Sequence, residues 1–387
     1  MNLYQIFRPL IFKLDAETAH NLAINFLKYF PNLATSCTIN KQYKNLQQNL
    51  WGLDFKSPLG MAAGFDKNAE AVKALQQFGF GFVEVGTVTP KAQTGNDKPR
   101  LFRLAEDQAI INRLGFNNKG AEVFAKNIEN LFYADSHSAC RNSCAAKNHK
   151  NAVATKNLQH KSHKNILGIN IGKNKDTENA ISDYILLLEK FYEAASYITV
   201  NISSPNTKNL RDLQKEDQLD LFLSALMSKK NELEKLHNKK TPIWLKVAPD
   251  LTIEEQKTIA TIALKNKIDA LIISNTTISR SENLKSKNAQ ESGGLSGQPL
   301  FEKSNEVLKN FYRFTEGQIA LVGVGGITNA QDAYTKIKCG ASLVQIYSGL
   351  IYQGFGAVEK ITKELSELVK KDGLENISQA RGSLAEN

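Results

Sequence analysis

Cysteine is scarce in this chain, and long apolar runs are absent. The four cysteines are too few and too scattered among 387 residues for a disulfide framework, which indicates a reducing compartment. No apolar stretch reaches the roughly 18–20 residues that a membrane-spanning helix needs. Asp15 and Glu17 interrupt the first apolar stretch, and no small-residue cleavage site follows it, so a secretory signal is not expected. The sequence therefore predicts an intracellular protein that does not span a membrane.

Histidine is rare outside one segment. Of the six histidines, four lie within residues 134–165, and beyond residue 50 the rest of the chain holds only His237. A Ser–His–Asp triad needs a histidine base, and a zinc site needs several cysteine or histidine ligands. Outside residues 134–165, the main body of the chain therefore offers neither a triad nor a metal site.

Positive charge is concentrated in the same segment. The chain carries 49 basic and 39 acidic residues, a net charge of +10. Within residues 134–165, Arg141 and five lysines are set against Asp135, so this segment contributes +5. A net positive charge is compatible with binding to nucleic acid, to a membrane surface or to an anionic small molecule. No basic stripe interleaved with aromatic residues occurs, so nucleic acid is not an expected partner.

Residues 134–165 contain almost no large apolar side chains, which predicts a mobile loop. The spacing His137-x2-Cys140-x3-Cys144-x4-His149 lacks the tight Cys-x2-Cys turn of structural zinc sites, so no bound metal is expected. A basic binding module that acts through this segment is an alternative function, and it could coexist with an enzyme.

Residues 1–45 show two helical repeats. Apolar residues recur at intervals of three and four from Leu3 to Leu14, and again from Ala19 to Phe30. This spacing places the apolar side chains on one face of each helix. The segment is predicted to form a small N-terminal amphipathic helical hairpin, with Asp15 capping its second helix.

From residue 46 to the end, short apolar runs alternate with helical segments. Continuous apolar runs are typical of strands that are buried on both faces, as in a parallel sheet covered by helices. Eight such units predict an α/β fold, a closed (β/α)8 or TIM barrel over residues 46–387, and an open doubly wound sheet is the alternative. The predicted strands are 59–63, 82–86, 166–171, 197–202, 242–247, 270–274, 319–324 and 342–347.

Polar residues cluster where the predicted strands end. NISSPN (201–206), KVAPD (246–250) and SNTT (274–277) follow the fourth, fifth and sixth strands. Active sites of barrel enzymes lie at the carboxyl ends of the strands, so these clusters predict one site there. GVGG (323–326) and YSG (347–349) end the last two strands and are typical of a phosphate site, because glycine lets backbone N–H groups approach an anion. Two ordinary tight turns are the alternative.

Two lysines lie at predicted strand ends. Lys67 follows the first strand, and Lys246 ends the fifth. A lysine at a buried strand end is costly unless it meets an anion or a polarised carbonyl, so an electron-rich ligand between them is expected. A Schiff-base lysine and a solvated lysine at the rim are the alternatives. Without a histidine base, Ser204 could accept a proton only if the substrate and its contacts make that proton acidic.

The motifs, taken in order, resemble those of class 2, quinone-dependent dihydroorotate dehydrogenases. The resemblance covers nearly all of the chain except residues 134–165. The segments that carry it are LDAETAH (14–20), WGLDFKSPLGMAAGFDKNAE (51–70), GTVTPKAQTGNDKPRLFRL (86–104), INRLGFNNKG (111–120), LGINIGKNKDT (167–177), ITVNISSPNTKNLRDLQ (198–214), SNTT (274–277), GGLSGQPL (293–300), VGVGGI (322–327) and SLVQIYSG (342–349).

This resemblance implies a flavoprotein oxidoreductase of pyrimidine (UMP) biosynthesis. Such enzymes oxidise (S)-dihydroorotate to orotate in a barrel that holds one FMN per chain. Ser204 falls on the family's catalytic base, which takes the C5 proton while the C6 hydride passes to flavin N5. Class 1 relatives use cysteine at that place, so Ser204 assigns the class. Other FMN barrel reductases, acting on dihydropyrimidines or dihydrouridine, would be expected to have a cysteine there and to lack the hairpin.

The resemblance also implies the binding residues. Lys246 would stabilise the N1–C2=O edge of reduced flavin, and Ser274 replaces the threonine usual at its position. The positions that match FMN contacts are Ala63, Gly64, Phe65, Asp66, Lys67, Thr87, Asn170, Asn201, Lys246, Ser274, Gly297, Gly326, Tyr347 and Ser348. The positions that match substrate contacts are Lys67, Asn112, Arg113, Leu114, Gly115, Phe116, Asn201, Asn206, Asn275 and Thr276.

A membrane quinone is the electron acceptor, or co-substrate, that the resemblance implies. The N-terminal hairpin would lie peripherally on the cytoplasmic face of the inner cell membrane and admit the quinone. Arg8, Lys13 and Lys28 would meet anionic headgroups. A hairpin packed wholly on the barrel is the alternative, and a monomer is expected.

Overall fold

Eight short apolar segments form the centre of the structure. The structure is a computed structural model, and it describes residues 3–35, 41–141, 165–207 and 209–385. They form buried parallel strands because both faces of an apolar run must be shielded from water. Helices cover the outer face, and the packed interior of the barrel covers the inner face. The strands are β1 (Leu59–Met61), β2 (Phe82–Val88), β3 (Ile166–Ile171), β4 (Tyr197–Asn201), β5 (Ile243–Val247), β6 (Ala270–Ile273), β7 (Ala320–Val324) and β8 (Ala341–Ile346).

The eight strands close into a barrel. Each strand pairs in parallel with the next along the chain, and β8 pairs with β1 through Val344 opposite Leu59. The predicted (β/α)8 barrel is therefore confirmed, and the alternative of an open doubly wound sheet is wrong.

Helices cover the outside of the barrel. Helices occur between the strands, as the alternation of apolar runs and helical segments predicts. The described helices are α1 (Leu3–Ile11), α2 (Ala16–Tyr29), α3 (Pro31–Ala34), α4 (Val72–Gln77), α5 (Gly120–Arg141), α6 (Ala180–Phe191), α7 (Glu216–His237), α8 (Ile253–Lys265), α9 (Phe301–Phe314), α10 (Ala330–Lys338), α11 (Ser348–Gln353) and α12 (Gly356–Lys371).

Helix α5 is longer than the sequence predicted. It was expected to end near Tyr133, where the loop over 134–165 would begin, but it continues to Arg141. Residues 134–141 contain neither proline nor glycine, so nothing in the sequence breaks the helix there. The remaining residues 142–164, with Cys144 and His149, lie outside the described residues. Within the described ranges, no group of three or more potential metal ligands occurs.

For residues 142–164 we expect that replacement by a short Gly/Ser linker leaves the protein folded and free of stoichiometric metal. The reason is that this stretch offers almost no large apolar side chain to a core. Thermal denaturation and elemental analysis of both proteins check this, and Tm should not change. One zinc per chain, or a shortened chain that no longer folds, would contradict the prediction.

Large aromatic side chains fill the amino-terminal end of the barrel. Trp244 stacks on Tyr197 with ring centroids 3.5 Å apart, and both are fully buried. A small β-hairpin, Gln48–Leu50 with Leu53–Phe55, lies at this end, where Trp51 packs against Trp244 at 5.3 Å. This packing closes one end of the barrel and leaves the carboxyl ends of the strands for a ligand.

A three-stranded antiparallel sheet lies beside the carboxyl ends of the barrel strands. Its strands are Leu101–Leu104, Ala109–Asn112 and Gly294–Gly297, and we call it the outer sheet. The sequence analysis did not predict it. Gly294 pairs with Asn112 across a separation of 182 residues, which no local pattern can reveal.

The N-terminal hairpin of α1 and α2 forms as predicted. Asp15 caps α2, because its Oδ1 accepts the N–H of Thr18 at 2.9 Å. The hairpin is attached to the barrel by polar contacts: the Tyr4 hydroxyl donates to the carbonyl of Ile351 at 2.6 Å. Glu17 forms a buried ion pair with Arg100 at 2.6 Å.

The hairpin also carries many exposed apolar side chains. No helix in the described part of the chain is long and apolar enough to cross a membrane. A concentration of exposed apolar side chains on one segment is typical of an interaction site. The exposed apolar side chains between α1 and α3 are Ile6, Phe7, Leu10, Leu14, Leu22, Phe26, Tyr29, Phe30 and Leu33.

Candidate active site

A cavity opens at the carboxyl ends of the barrel strands. It measures about 1100 Å³ including its mouth. Its walls come from the ends of all barrel strands except β3, and on one side from the outer sheet. Barrel enzymes place their catalytic groups at this end, and a cavity of this size accommodates a small-molecule ligand.

Hydrogen bonds hold four asparagine side chains around the cavity. Asn275 Nδ2 donates to Ser203 Oγ at 2.9 Å, and Ser203 Oγ donates to Asn201 Oδ1 at 2.8 Å. On the other side, Asn206 Nδ2 donates to the carbonyl oxygen of Asn112 at 3.1 Å. These bonds join the ends of β4 and β6 to the outer sheet. The amides are therefore oriented before a ligand binds, as a preorganised site requires.

Ser204 lies in the cavity wall among these amides. Its Oγ accepts the N–H of Asn206 at 3.2 Å, which fixes the hydroxyl at the start of the loop after β4. Neither His20 nor His237 lines the cavity, in agreement with the exclusion of a Ser–His–Asp triad. The hydroxyl can therefore act on a proton only where surrounding positive charge and hydrogen bonds stabilise the resulting anion.

Two lysines supply positive charge to the cavity wall. Among the described residues, neither Lys67 nor Lys246 has a hydrogen-bond or ion-pair partner for its Nζ. Burial lowers the pKa of Lys67 to about 8; the Arg100 cation acts in the same direction, while Glu17 and Asp66 oppose it. Burial also lowers the pKa of Lys246. Two desolvated amines without partners fit an anionic or electron-rich ligand between them.

A buried carboxylate lies inside the barrel below the cavity. Glu84 Oε1 accepts Asn170 Nδ2 at 2.8 Å, and its Oε2 accepts Gln345 Nε2 at 2.8 Å and Thr199 Oγ1 at 3.0 Å. The charge on this carboxylate raises the pKa of Lys246 and partly offsets the effect of burial. Glu84 therefore favours the protonated form of the lysine above it.

Two glycines form a cradle at the end of β7. Gly325 and Gly326 have φ values of 112° and 77°, and a Cβ on Gly326 would lie 2.5 Å from Phe301 Cβ. Within the described ranges, neither backbone N–H has a hydrogen-bond acceptor. Ser348, which begins α11, lines the same part of the cavity, and its hydroxyl lies 2.8 Å from that of Ser296. Free N–H groups at a glycine turn and a hydroxyl are the donors that a phosphate needs.

Residues outside the cavity hold its loops together. Arg211 donates from Nε to the carbonyl of Ser203 at 3.0 Å and from Nη2 to the carbonyl of Thr276 at 3.1 Å. Its Nη1 pairs with Asp250 at 3.0 Å, and Lys303 pairs with the same carboxylate at 2.7 Å. One guanidinium thus connects the loops after β4, β5 and β6, which fixes the relative position of Ser204 and Asn275.

Most of the positions named from sequence line this cavity, but four do not. Phe65 packs against Phe355 behind the wall, and Asp66 accepts the N–H groups of Glu70 and Ala71. Arg113 points to Glu291, and Asn170 lies below the wall on Thr87 and Glu84. The positions that line the cavity are Ala63, Gly64, Lys67, Thr87, Asn112, Leu114, Gly115, Phe116, Asn201, Ser204, Asn206, Lys246, Ser274, Asn275, Thr276, Gly297, Gly326, Tyr347 and Ser348.

Sequence reasoning missed several lining residues. Gln345 is a polar residue within the apolar run of β8, and that contrast was a usable signal for an inward-facing functional group. Ser296 belongs to the outer sheet, and Leu300 and Ile327 are apolar residues without any chemical signature. These three are identified only by the folded geometry.

The comparisons with known proteins all identify the same family. A family profile described as dihydroorotate dehydrogenase matches residues 45–369. A protein of Burkholderia multivorans named dihydroorotate dehydrogenase (quinone) is 43% identical over 94% of this chain and 98% of its own length. One of the same name from Allorhizobium ampelinum is 45% identical over 97% of this chain and 95% of its own.

Solved structures also match along nearly the whole chain. The crystal structure of DHODH from Eimeria tenella in complex with ferulenol has a TM-score of 0.83 and 38% sequence identity, with 95% of each chain covered. The ligand-free form from the same organism has a TM-score of 0.80 at 38% identity, covering 94% of this chain and 98% of the other.

Proposed function

This chain belongs to the quinone-dependent class of the dihydroorotate dehydrogenase family, and from that premise we propose its reaction in detail. It oxidises (S)-dihydroorotate to orotate in pyrimidine biosynthesis and passes the electrons to a quinone. The prosthetic group is one FMN per chain, and Ser204 is the catalytic base.

The donors in the cavity wall fit FMN. The N–H groups of Gly325 and Gly326, with Ser348, match a phosphate, and the partnerless Lys246 matches the electron-rich N1–C2=O edge of the ring. Thr87 and Asn201, linked at 3.2 Å, would contact the ring from the side of β2 and β4. When bound, FMN accepts the hydride that leaves the substrate.

The other polar residues fit a carboxylated ring. Lys67 would pair with the carboxylate of dihydroorotate, and the side chains of Asn112, Asn206 and Asn275 would bond its ring carbonyl and N–H groups. Positive charge and amide donors acidify the proton on C5 by stabilising charge on the adjacent carbonyl. Ser204 Oγ then takes that proton.

The observation that carries the proposal is that Ser204, Lys67 and Lys246 line one cavity. Purified protein should be yellow, and the flavin colour should bleach on anaerobic addition of dihydroorotate. Turnover should then depend on a quinone, while fumarate and NAD should not replace it. A colourless protein that cannot be loaded with FMN, or bleached flavin that a quinone fails to reoxidise, would contradict the proposal.

The N-terminal hairpin fits a peripheral membrane contact through which the quinone enters. Full burial of one large apolar side chain is worth roughly 1.5–3 kcal/mol, so even partial insertion of several would hold a monomer reversibly on the cytoplasmic surface of the cell membrane. The ion pair between Glu17 and Arg100 links this hairpin to residues beside the cavity.

Replacing Leu10 and Leu22 together by glutamate is expected to weaken binding to anionic lipid vesicles and to slow reoxidation by a long-tailed quinone. Both side chains are exposed, at 60% and 54%, so the fold should be kept. Flavin reduction by dihydroorotate should be unchanged, because neither residue lines the cavity. Vesicle flotation and stopped-flow spectroscopy measure these effects.

Leu236→Glu is the matched control, since this leucine is 74% exposed at the end of α7 and far from the hairpin in sequence. It should leave both vesicle binding and quinone kinetics unchanged. Removal of residues 1–40 should reproduce the double variant in stronger form. Equal long-tailed quinone kinetics with and without that segment would refute the role of the hairpin.

A further inference from the structure

A lysine is fully buried behind the glycine cradle. Lys336 lies on α10 with none of its surface exposed. Its Nζ donates to Ser304 Oγ at 2.7 Å and to Asn305 Oδ1 at 2.9 Å, and it lies 5.2 Å from the centre of the Phe301 ring. All three partners are uncharged residues of α9. Burial of an ammonium group in such surroundings is costly unless a counter-charge is close.

No carboxylate among the described residues bonds to this amine. Asp332 is the acidic residue nearest in sequence, but its carboxylate accepts the N–H and hydroxyl of Thr328, at 2.8 and 2.7 Å. Burial lowers the pKa of Lys336 to about 7, and the fields of Cys339, Asp332 and Glu302 oppose that shift only in part. An anion bound nearby would therefore keep the amine protonated.

The residues that hold Lys336 also shape the cradle. Ser304 Oγ lies 3.3 Å from the carbonyl oxygen of Gly325, and a Cβ on Gly325 would come within 3.1 Å of that hydroxyl. Phe301, whose ring lies by the amine, packs directly against Gly326. The lysine thus lies one layer behind the Gly325–Gly326 turn, which lines the cavity.

We propose that Lys336 is a positioning residue for the phosphate group of FMN: its buried cation supplies, from behind the Gly325–Gly326 turn, the positive charge that the cradle itself lacks. It touches no ligand atom and acts through the field at the cradle. This inference rests on the proposed FMN site. Because the charge acts on the phosphate alone, it should matter for FMN and not for riboflavin, which has the same ring without the phosphate.

The test compares the affinities of the full-length, flavin-stripped chain for FMN and riboflavin by fluorescence quenching. Lys336→Met removes the charge and keeps the volume, and Lys336→Gln keeps a hydrogen-bond donor without the charge. Both should weaken FMN binding roughly 10- to 100-fold, the scale of an interaction between two separated charges in a partly buried site, and leave riboflavin binding unchanged. Lys230→Met is the control, since Lys230 is similarly buried but pairs with Asp269 between α7 and β6.

Three results would overturn the inference. These are unchanged FMN affinity in both variants, equal weakening for the two flavins, and full FMN affinity in Lys336→Gln, which would assign the effect to hydrogen bonding. Melting curves identify a variant that does not fold. The FMN and riboflavin affinities of the other variant then test the inference. A wild-type chain that binds neither flavin would overturn the proposed cofactor instead, so the two failures are distinguishable.

Discussion

Replacing Ser204 by alanine is expected to slow reduction of the bound flavin by dihydroorotate about 10²–10⁴-fold, the usual contribution of a positioned base. In the proposed reaction the Ser204 hydroxyl takes the C5 proton, and its Oγ is already oriented by the N–H of Asn206. FMN should stay bound, because the phosphate cradle and Lys246 are unchanged. Anaerobic stopped-flow absorbance of the flavin measures the rate.

Two further variants sharpen this test. Ser182→Ala, at an exposed position of α6, should reduce its flavin at the wild-type rate. Ser204→Cys should keep partial activity that rises with pH, because a thiol with an ordinary pKa of roughly 8.5 forms the reactive thiolate as pH increases. An alanine variant whose flavin is reduced at an undiminished rate would show that the base is another group.

Replacing Lys67 by methionine is expected to lower kcat/KM for dihydroorotate about 10²–10³-fold, the loss typical when one charged or hydrogen-bonding group of a preorganised site is removed. Lys67 has no partner within the described ranges, so its charge is available to the substrate carboxylate. Steady-state kinetics with a short soluble quinone measure the effect independently of the membrane. Lys73→Met, an exposed lysine of α4, is the matched control.

The pH dependence of kcat/KM for the wild-type protein should reflect the titration of Lys67. Its pKa is lowered to about 8, so the free protein carries the Lys67 cation below pH 8 and loses it as pH rises above 8. Because the cation attracts the carboxylate, kcat/KM should fall on the alkaline side. Lys67→Arg should remove this fall, since a guanidinium stays charged throughout. A Lys67→Met variant with the same alkaline fall as wild type would assign the titration elsewhere.

The parts of this site that the residue pattern predicted without the family resemblance share one property. Each depends on a residue next to its own strand, as with Ser204 after β4, Lys246 at the end of β5 and Asn275 after β6. Barrel closure then brings these ends together automatically, because parallel strands present all their carboxyl ends at one rim. The local residue pattern and the topology of a parallel barrel were therefore sufficient to predict these positions.

What sequence could not predict depends on contacts between distant segments. Ser296 enters the cavity only because the outer sheet pairs two segments far apart in the chain. Arg113 follows Asn112 directly, yet the sheet turns it toward Glu291 and away from the cavity. Neighbouring residues in a strand point to opposite faces, and which face meets the ligand is fixed by pairing that the sequence does not display.

The attachment of the hairpin has a consequence for synthesis of the chain. The Tyr4 hydroxyl bonds to the carbonyl of Ile351, 347 residues later, and β1 pairs with β8, the last strand made. At about 5–20 residues per second, the ribosome takes roughly 17–70 s to supply those partners after the hairpin emerges. During that interval the nascent hairpin lacks its hydrogen bonds to the carbonyls of Ile351 and Tyr352, while all of its apolar side chains have already been synthesised. The proposed lipid contact of the hairpin can therefore form before the barrel, where the proposed oxidation takes place, is complete.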